Sequence, residues 1–144
     1  EAFLRRAEIP FELVEDIARA MWNKFMINVG INQTCMVYGT TYAGATSPGE
    51  ACDSLLGAMR EVLLLSEAEG IGLTEAQLQD DLALLRSLNP EGYPSMRQDA
   101  LAGRRSEVEL FAGTVLRLAE KHSLDVPVNR RYYEAIREME KDLP

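Results

Sequence analysis

A short stretch of this 144-residue chain, MWNKFMINVGINQ at positions 21–33, carries three polar residues in an apolar background at a spacing of four. Lys24, Asn28 and Asn32 would lie on one narrow stripe of a helix, because four residues advance by about 40° around the helix axis. Apolar residues flank this stripe on both sides. Burying an ammonium group and two amides costs free energy unless partners satisfy them.

Two interpretations of the stripe stay open on spacing alone. In the first, Lys24 extends its ammonium group to solvent and the two asparagines bond to neighbouring helices. In the second, the stripe is one wall of a polar cleft. A lysine in apolar surroundings can then act as an acid or base, and the asparagines supply fixed donors and acceptors to an oxygen-rich ligand.

A second stretch, YPSMRQDALAGRRSEVELFAG at positions 93–113, contains two potential helix starts. Ser95 and Ser106 are good N-caps, and each is followed three residues later by glutamine or glutamate, the pattern of a capping box. Glu107 would lie in a first turn, where the helix dipole favours a carboxylate. Capping is the simpler interpretation, but a helix N-terminus with a free hydroxyl is also a natural anion site.

The secondary-structure elements that must position these residues are all predicted to be helices. Proline and glycine residues divide the chain, and two further capping boxes, Ser47 with Glu50 and Thr74 with Gln77, mark helix starts. No stretch alternates apolar and polar residues as a strand would. The prediction is an all-α single domain with six or so helices around one core. The expected helices run from Pro10 to about Val37, Ser47 to about Glu69, Thr74 to about Ser87, Ser95 to near Gly103, Ser106 to about His122, and Pro127 almost to the C-terminus.

Composition argues against several classes of partner. The net charge of −8 disfavours nucleic acid, and no apolar run approaches the roughly 20 residues that cross a bilayer. Cys35 and Cys52 are too few for a disulfide scaffold, so both are expected in the core of a cytoplasmic protein. His122 is the one histidine, and the sequence predicts no metal site. The chain begins without methionine in helical sequence, which suggests a domain of a longer protein.

Taken together, the two stretches resemble the C-terminal domain of the ketopantoate reductase (2-dehydropantoate 2-reductase) family. The shared pattern is W-x-K-x-x-x-N-x-x-x-N, then S-M-x-Q-D, G-R, T/S-E and a downstream G. A tail similar to A-x-x-H-G-x-x-x-P-x-N follows, with Ser123 where a glycine is usual. The matching residues are Trp22, Lys24, Asn28, Asn32, Ser95, Met96, Gln98, Asp99, Gly103, Arg104, Ser106, Glu107, Gly113, Ala119, His122, Pro127 and Asn129.

The resemblance implies that residues 1–144 are the helical C-terminal domain of a two-domain enzyme, of the 6-phosphogluconate dehydrogenase C-terminal-like type. The family's N-terminal Rossmann domain binds NADPH. No G-x-G-x-x-G follows a strand here, so that domain is expected outside this chain. This chain alone is therefore expected to be inactive.

The resemblance also implies roles for individual residues. Family members reduce 2-dehydropantoate to pantoate with NADPH, a step toward pantothenate and coenzyme A. Lys24 would be the general acid, and Glu107 the carboxylate that orients the substrate hydroxyl or the lysine. Asn28, Asn32 and Ser95 would bind the substrate. NADPH would contact this chain at most near Lys24.

Two other functions stay open. The first is a related NADPH-dependent reductase of another small 2-oxo acid, because an asparagine that some members carry is absent from the region of Tyr42. The second is a non-catalytic helical interaction domain, in which Lys24 and Glu107 are ordinary surface or capping residues. The oligomeric state is not readable from the sequence, and a homodimer is one option.

Overall fold

The computed structural model describes residues 2–10 and 15–143, and these ranges contain helices but no strand, which confirms the all-α prediction. None of the described helices combines the length and apolarity that a membrane span requires. The eight described helices are α1 (Ala2–Arg6), α2 (Ile17–Val37), α3 (Tyr42–Thr46), α4 (Glu50–Ala68), α5 (Glu75–Ser87), α6 (Ser95–Leu101), α7 (Ala112–His122) and α8 (Pro127–Met139).

The start of the long helix α2 differs from the prediction. A start at Pro10 is wrong, because α2 begins at Ile17. Asp16 is the N-cap, and its carboxylate accepts the backbone N–H of Arg19 at 2.9 Å. Residues 11–14 lie outside the described part. The predicted end at Val37 is confirmed.

Local capping explains only some of the helix starts. Thr74 and Gln77 form the predicted capping box at the start of α5. The predicted box at the start of α4 is wrong, since Gly49 is the N-cap and no side chain caps the helix. The Ser47 hydroxyl instead donates to the carbonyl of Ala43 at 2.7 Å.

Helices α2 and α4 approach each other closely at Gly30. A Cβ at this position would lie 2.6 Å from Met59 Cγ and 2.8 Å from Leu55 Cδ1, so any larger residue would force the side chains of α4 or the helix itself to move. The glycine thus allows a close contact between α2 and α4. The core contains fully buried apolar side chains from five helices, among them Met26, Val29, Val62, Leu65, Leu78, Val115 and Ile136.

The N-terminus of α8 is held by a carboxylate from another helix. No side chain of its own caps α8, which opens with Pro127. The Glu61 carboxylate of α4 accepts the backbone N–H groups of Val128 at 2.7 Å and Asn129 at 2.9 Å, and also Asn129 Nδ2 at 2.7 Å. Asn129 Oδ1 in turn accepts Gln33 Nε2 of α2 at 3.0 Å. One buried polar network therefore joins α2, α4 and α8.

Asp81 of α5 lies against Asn23 of α2 in a largely buried pair. Asn23 Nδ2 donates to Asp81 Oδ1 at 3.2 Å, and Asp81 is 7% exposed. Asp81 Oδ2 and Asn23 Oδ1 are both buried without a hydrogen-bond partner among the described residues. Burial raises the pKa of Asp81; the hydrogen bond from Asn23 opposes this rise, and the nearby charge of Asp80 adds to it.

We predict that Asn129→Ala lowers the free energy of unfolding by about 2–4 kcal/mol. The change removes a donor from the buried Glu61 carboxylate and leaves Gln33 Nε2 without its side-chain acceptor. Urea unfolding followed by circular dichroism measures the effect. The exposed Asn89→Ala is the control and should cost less than about 1 kcal/mol. A similarly small loss for Asn129→Ala would contradict a structural role of the network.

We predict that Asp81→Asn raises the free energy of unfolding at pH 7 by about 1 kcal/mol, because the amide removes a buried charge and offers a donor to Asn23. The raised pKa of Asp81 means that its favourable contribution is complete below the unfolded pKa of about 3.9 and is lost as pH rises through the folded pKa. The gain should therefore shrink near pH 3. Urea unfolding at both pH values tests this against the exposed control Asp125→Asn, and equal stability of Asp81→Asn and the unmodified protein at pH 7 would refute it.

Candidate active site

The polar stripe of α2 runs from the protein surface into its interior. Lys24 is exposed, Asn28 is half-buried, and Asn32 is 5% exposed. Each step of four residues rises by about 6 Å along the helix axis. The three side chains therefore form a continuous row whose outer end faces solvent and whose inner end is packed against neighbouring residues.

The side chains of the two outer stripe residues, Lys24 and Asn28, form no polar contact with other described residues. Within the described ranges, the ammonium group of Lys24 makes no ion pair, and the side-chain amide of Asn28 makes no hydrogen bond. The interpretation in which both asparagines bond to neighbouring helices is therefore wrong for Asn28. Its donor and acceptor atoms are available to a ligand.

The innermost residue, Asn32, holds the start of α6. Its Oδ1 accepts the Ser95 hydroxyl at 3.2 Å and the backbone N–H of Met96 at 3.4 Å. The predicted capping box at Ser95 is wrong, since Pro94 is the N-cap of this two-turn helix and makes no capping hydrogen bond of its own. The Ser95 hydroxyl is directed to Asn32 instead, which brings two of the predicted site residues into contact.

Glu107 lies in a turn that precedes α7, not in the first turn of a helix. The predicted helix start at Ser106 is wrong by six residues, because α7 begins at Ala112. The backbone carbonyl of Glu107 accepts the N–H groups of Leu110 and Phe111, which closes the turn. The Glu107 side chain is exposed and has no ion pair or hydrogen bond among the residues described.

Tertiary partners explain why the predicted capping box at Ser106 does not form. The backbone N–H of Ser106 donates to Glu140 Oε1 at 2.7 Å, and the Ser106 hydroxyl is buried without a partner in the described part. The Glu109 carboxylate accepts the Tyr133 hydroxyl at 2.7 Å and lies 3.9 Å from Arg117 Nη1. The backbone N–H of Ser106 and the Glu109 carboxylate, which would bond to each other in the expected box, thus have other partners.

The segment that carries Glu107 is held on both sides. On one side, Arg104 donates from Nε at 2.9 Å and from Nη2 at 2.6 Å to the same Asp99 oxygen. On the other side, Val108 is buried in the core. The role of Glu140 was not anticipated, because a carboxylate near a helix C-terminus has an unfavourable dipole interaction and no sequence pattern pairs it with Ser106.

An apolar groove lies beside the stripe, between the N-terminal halves of α2 and α7. Its volume is about 250 Å³, and Met21 of α2 is 62% exposed. Trp22 and Phe25 meet edge to face, with ring centroids 6.0 Å apart. The groove shows that the helix segment bearing Lys24 and the start of α7 are neighbours. It is lined by Met21, Trp22, Phe25, Thr114 and Leu118.

The C-terminal residues that match the family pattern have structural roles. His122 Nε2 and Lys121 Nζ both contact Glu69 Oε1 at 2.5 Å, and these bonds hold the pKa of Glu69 below its ordinary value. Ser123 has φ 54° and ψ 41° at the C-cap of α7. This is a left-handed position, which explains why a glycine suits it.

Both cysteines are buried and free, as predicted. Burial raises the pKa of the Cys35 thiol to about 12, although the charge of Arg97 opposes the rise. A thiol with this pKa is protonated at neutral pH and is a poor nucleophile. The structure therefore gives Cys35 no place in the chemistry of the stripe.

Comparison with known proteins gives a consistent family match. The profile of "Ketopantoate reductase PanE/ApbA C terminal" matches residues 16–140. A 2-dehydropantoate 2-reductase of Halobacterium salinarum is 33% identical over 126 residues, which is 86% of this chain and 41% of that protein. The chain thus spans less than half the length of this curated relative.

Two solved structures show the same helical fold at lower identity. A dimeric ketopantoate reductase from Staphylococcus aureus has a TM-score of 0.84 and 24% identity, and the match covers 98% of this chain and 50% of that one. A D-mandelate dehydrogenase with NADH and anilino(oxo)acetate has a TM-score of 0.84 and 19% identity, with 97% and 59% covered. At these identities, the two matches show that the fold is shared and nothing further.

We predict different costs for removing the two asparagines of the stripe. Asn32→Ala should lower the free energy of unfolding by about 1–3 kcal/mol, because the buried N–H of Met96 loses its acceptor. Asn28→Ala, the matched control, should change it by less than about 0.5 kcal/mol. Thermal and urea unfolding measure both. Equal losses would show that Asn28 is engaged by the fold and not free for a ligand.

Proposed function

The chain belongs to the ketopantoate reductase PanE/ApbA C-terminal family, and from this we propose that it is the substrate-binding and catalytic-residue domain of an NADPH-dependent 2-dehydropantoate 2-reductase. The reaction is the reduction of 2-dehydropantoate to pantoate, toward pantothenate and coenzyme A. The observation that carries the proposal is the stripe itself. Lys24 and Asn28 have no partner among the described residues, and they lie on the same helix face as Asn32, which contacts Ser95.

The proposal places the nucleotide-binding domain outside this chain. The curated relatives are more than twice as long as the matched region, which covers 41% of the Halobacterium salinarum protein. The ranges 2–10 and 15–143 contain no strand, so they do not fit a dinucleotide site built from a strand, a glycine-rich turn and a helix. NADPH would therefore be bound mainly by an N-terminal Rossmann domain, and the steps below concern this chain's own residues.

Lys24 is the proposed general acid. Reduction of the keto carbon places negative charge on its oxygen. An ammonium group beside that oxygen stabilises the charge and then donates a proton to it. An exposed lysine without an ion pair suits this role, because no carboxylate of the described residues has to be displaced from it first.

Asn28 and Ser95 are the proposed substrate-binding groups, and Asn32 supports them. The amide of Asn28 offers one acceptor and two donor hydrogens to the oxygens of a hydroxy-keto acid. The Ser95 hydroxyl donates to Asn32 Oδ1, so its own oxygen remains available to accept a hydrogen bond from the substrate hydroxyl in the arrangement in which Glu107 pairs with Lys24. The bond to Asn32 also fixes the direction of this hydroxyl.

Glu107 is the proposed orienting carboxylate. It would accept a hydrogen bond from the substrate hydroxyl or pair with the Lys24 ammonium group. Its exposure, its lack of a partner in the described part and its position beside the anchored Ser106 support this role. A carboxylate held by a closed turn loses less conformational entropy when it binds than one on a free loop.

A related reductase of another small 2-oxo acid is the second candidate function. The backbone N–H of Tyr42 donates to the carbonyl of Gly92 at 2.8 Å, and a Cβ at Gly92 would lie 3.2 Å from the Tyr42 ring. Tyr42 therefore packs on the loop that leads into Ser95. A different residue here would alter the site next to the substrate, so relative rates on several 2-oxo acids distinguish the two reductases.

The proposed partners are the chain's own Rossmann domain and a second copy of the protein. The Staphylococcus aureus relative is dimeric, which supports a homodimer as part of the proposal. A non-catalytic helical interaction domain is the remaining alternative. It requires that replacing Lys24 changes neither the activity nor the ligand binding of the full-length protein.

We predict that Lys24→Ala lowers kcat on 2-dehydropantoate by roughly 100- to 10,000-fold in the full-length protein, because the proton donor is lost. NADPH oxidation at 340 nm measures the rate. Lys121→Ala, an exposed lysine paired with Glu69, is the control and should keep the full rate. Residues 1–144 alone should give no turnover. A Lys24→Ala enzyme with the unmodified rate would refute the assigned role.

A further inference from the structure

Glu140 is a buried carboxylate in an unfavourable place. It is the C-cap of α8 and is only 3% exposed. A negative charge near a helix C-terminus is disfavoured by the helix dipole, and burial of a carboxylate adds a desolvation cost. Across the described ranges no cation forms an ion pair with it. Helix capping and charge pairing therefore do not explain this residue.

The contact that Glu140 makes is with the segment before the proposed catalytic carboxylate. Its Oε1 accepts the backbone N–H of Ser106 at 2.7 Å, a length typical of a charge-assisted hydrogen bond. Ser106 is followed directly by Glu107. A second contact comes from the same region of the chain, since Arg105 Nη2 donates to the carbonyl of Leu143 at 2.8 Å.

We propose that Glu140 is a positioning residue for Glu107: its buried carboxylate fixes the backbone at Ser106, so that the turn presents the Glu107 side chain toward the substrate. The inference rests on the proposed function, in which Glu107 orients the substrate. It adds to the site a residue at the C-terminal end of α8, far along the chain from the stripe. Misplacement of a catalytic group by about 1 Å can cost on the order of 100-fold in rate.

Variants at position 140 separate positioning from stability. Glu140→Gln keeps an acceptor at the same reach and removes the charge. Glu140→Met keeps the volume and removes the acceptor, and Glu140→Asp keeps the charge but withdraws the acceptor by one methylene. A purely structural role predicts that the three variants differ in stability and not in kcat of the folded enzyme.

The experiment measures kcat, KM and the thermal midpoint of the full-length protein with NADPH and 2-dehydropantoate, for these variants and for Glu107→Gln. We expect Glu140→Met and Glu140→Asp to lose kcat by roughly tenfold or more, as does Glu107→Gln, with a smaller change in KM. Glu140→Gln should remain within about twofold of the unmodified enzyme, because its amide oxygen still accepts the N–H of Ser106.

The outcomes are distinguishable. If Glu107→Gln keeps full activity, the role of Glu107 in the proposed function is wrong. If Glu107→Gln is impaired while folded Glu140→Met and Glu140→Asp keep full kcat, the positioning role is overturned. Equal impairment of Glu140→Gln and Glu140→Met also overturns it, because the acceptor would then be irrelevant. If Glu140→Met does not fold, the comparison of Glu140→Asp with Glu140→Gln decides.

Discussion

The buried carboxylate of Glu61 sets the arrangement of the helices that carry the site. Burying an ionised carboxylate costs several kcal/mol unless donors replace its lost hydration. Here two backbone N–H groups of α8 and the Asn129 amide replace it, and this stabilises the N-terminus of α8 at the same time. Asn129 then accepts a hydrogen bond from Gln33 of α2, so the Glu61 network helps to hold α2, and with it the stripe, against α4 and α8.

The residues shared with the reductase family divide into two physical groups. The C-terminal residues of the shared pattern stabilise the fold: Asn129 is fully buried in the network, and His122 pairs with Glu69. Those at the outer end of the stripe and in the turn before α7, Lys24 and Glu107, are exposed and unpaired among the described residues. A fold gains little from unpaired surface charges, so the second group is the one whose identity the fold does not explain.

Apolar spacing and the positions of proline and glycine are local signals, and they predicted six of the eight described helices. They did not predict the short helix α3 or the starts of α2 and α7. The class of fold, the end of α2 and the capping box of Thr74 follow from such signals. Three of the four expected capping boxes did not form. In two of them, groups of the expected box have partners distant in sequence: the Ser95 hydroxyl donates to Asn32, and the backbone N–H of Ser106 donates to Glu140. A pattern read over four residues contains no information about such partners.

The same limit applies to the stripe. Its periodicity predicts that Lys24, Asn28 and Asn32 share a face, but not that their exposure falls steadily from the first to the third. The gradient arises because α6 and the core cover the C-terminal half of α2, while the N-terminal half borders an open groove. Asn32 thus became a structural partner of Ser95, whereas Asn28 stayed free. Neither assignment follows from residue type, since both are asparagines on one helix face.

The exposure of Lys24 has a consequence for how a reductase of this kind would work. An ammonium group in contact with water stabilises a nearby negative charge weakly, because water screens the interaction with an effective dielectric constant far above that of a protein interior. Strong stabilisation of a developing alkoxide requires a second surface that excludes water from Lys24. In the proposed enzyme the Rossmann domain provides that surface. A large rate enhancement then requires the closed cleft. This domain contributes the proton donor Lys24 and the helix α2 that carries it.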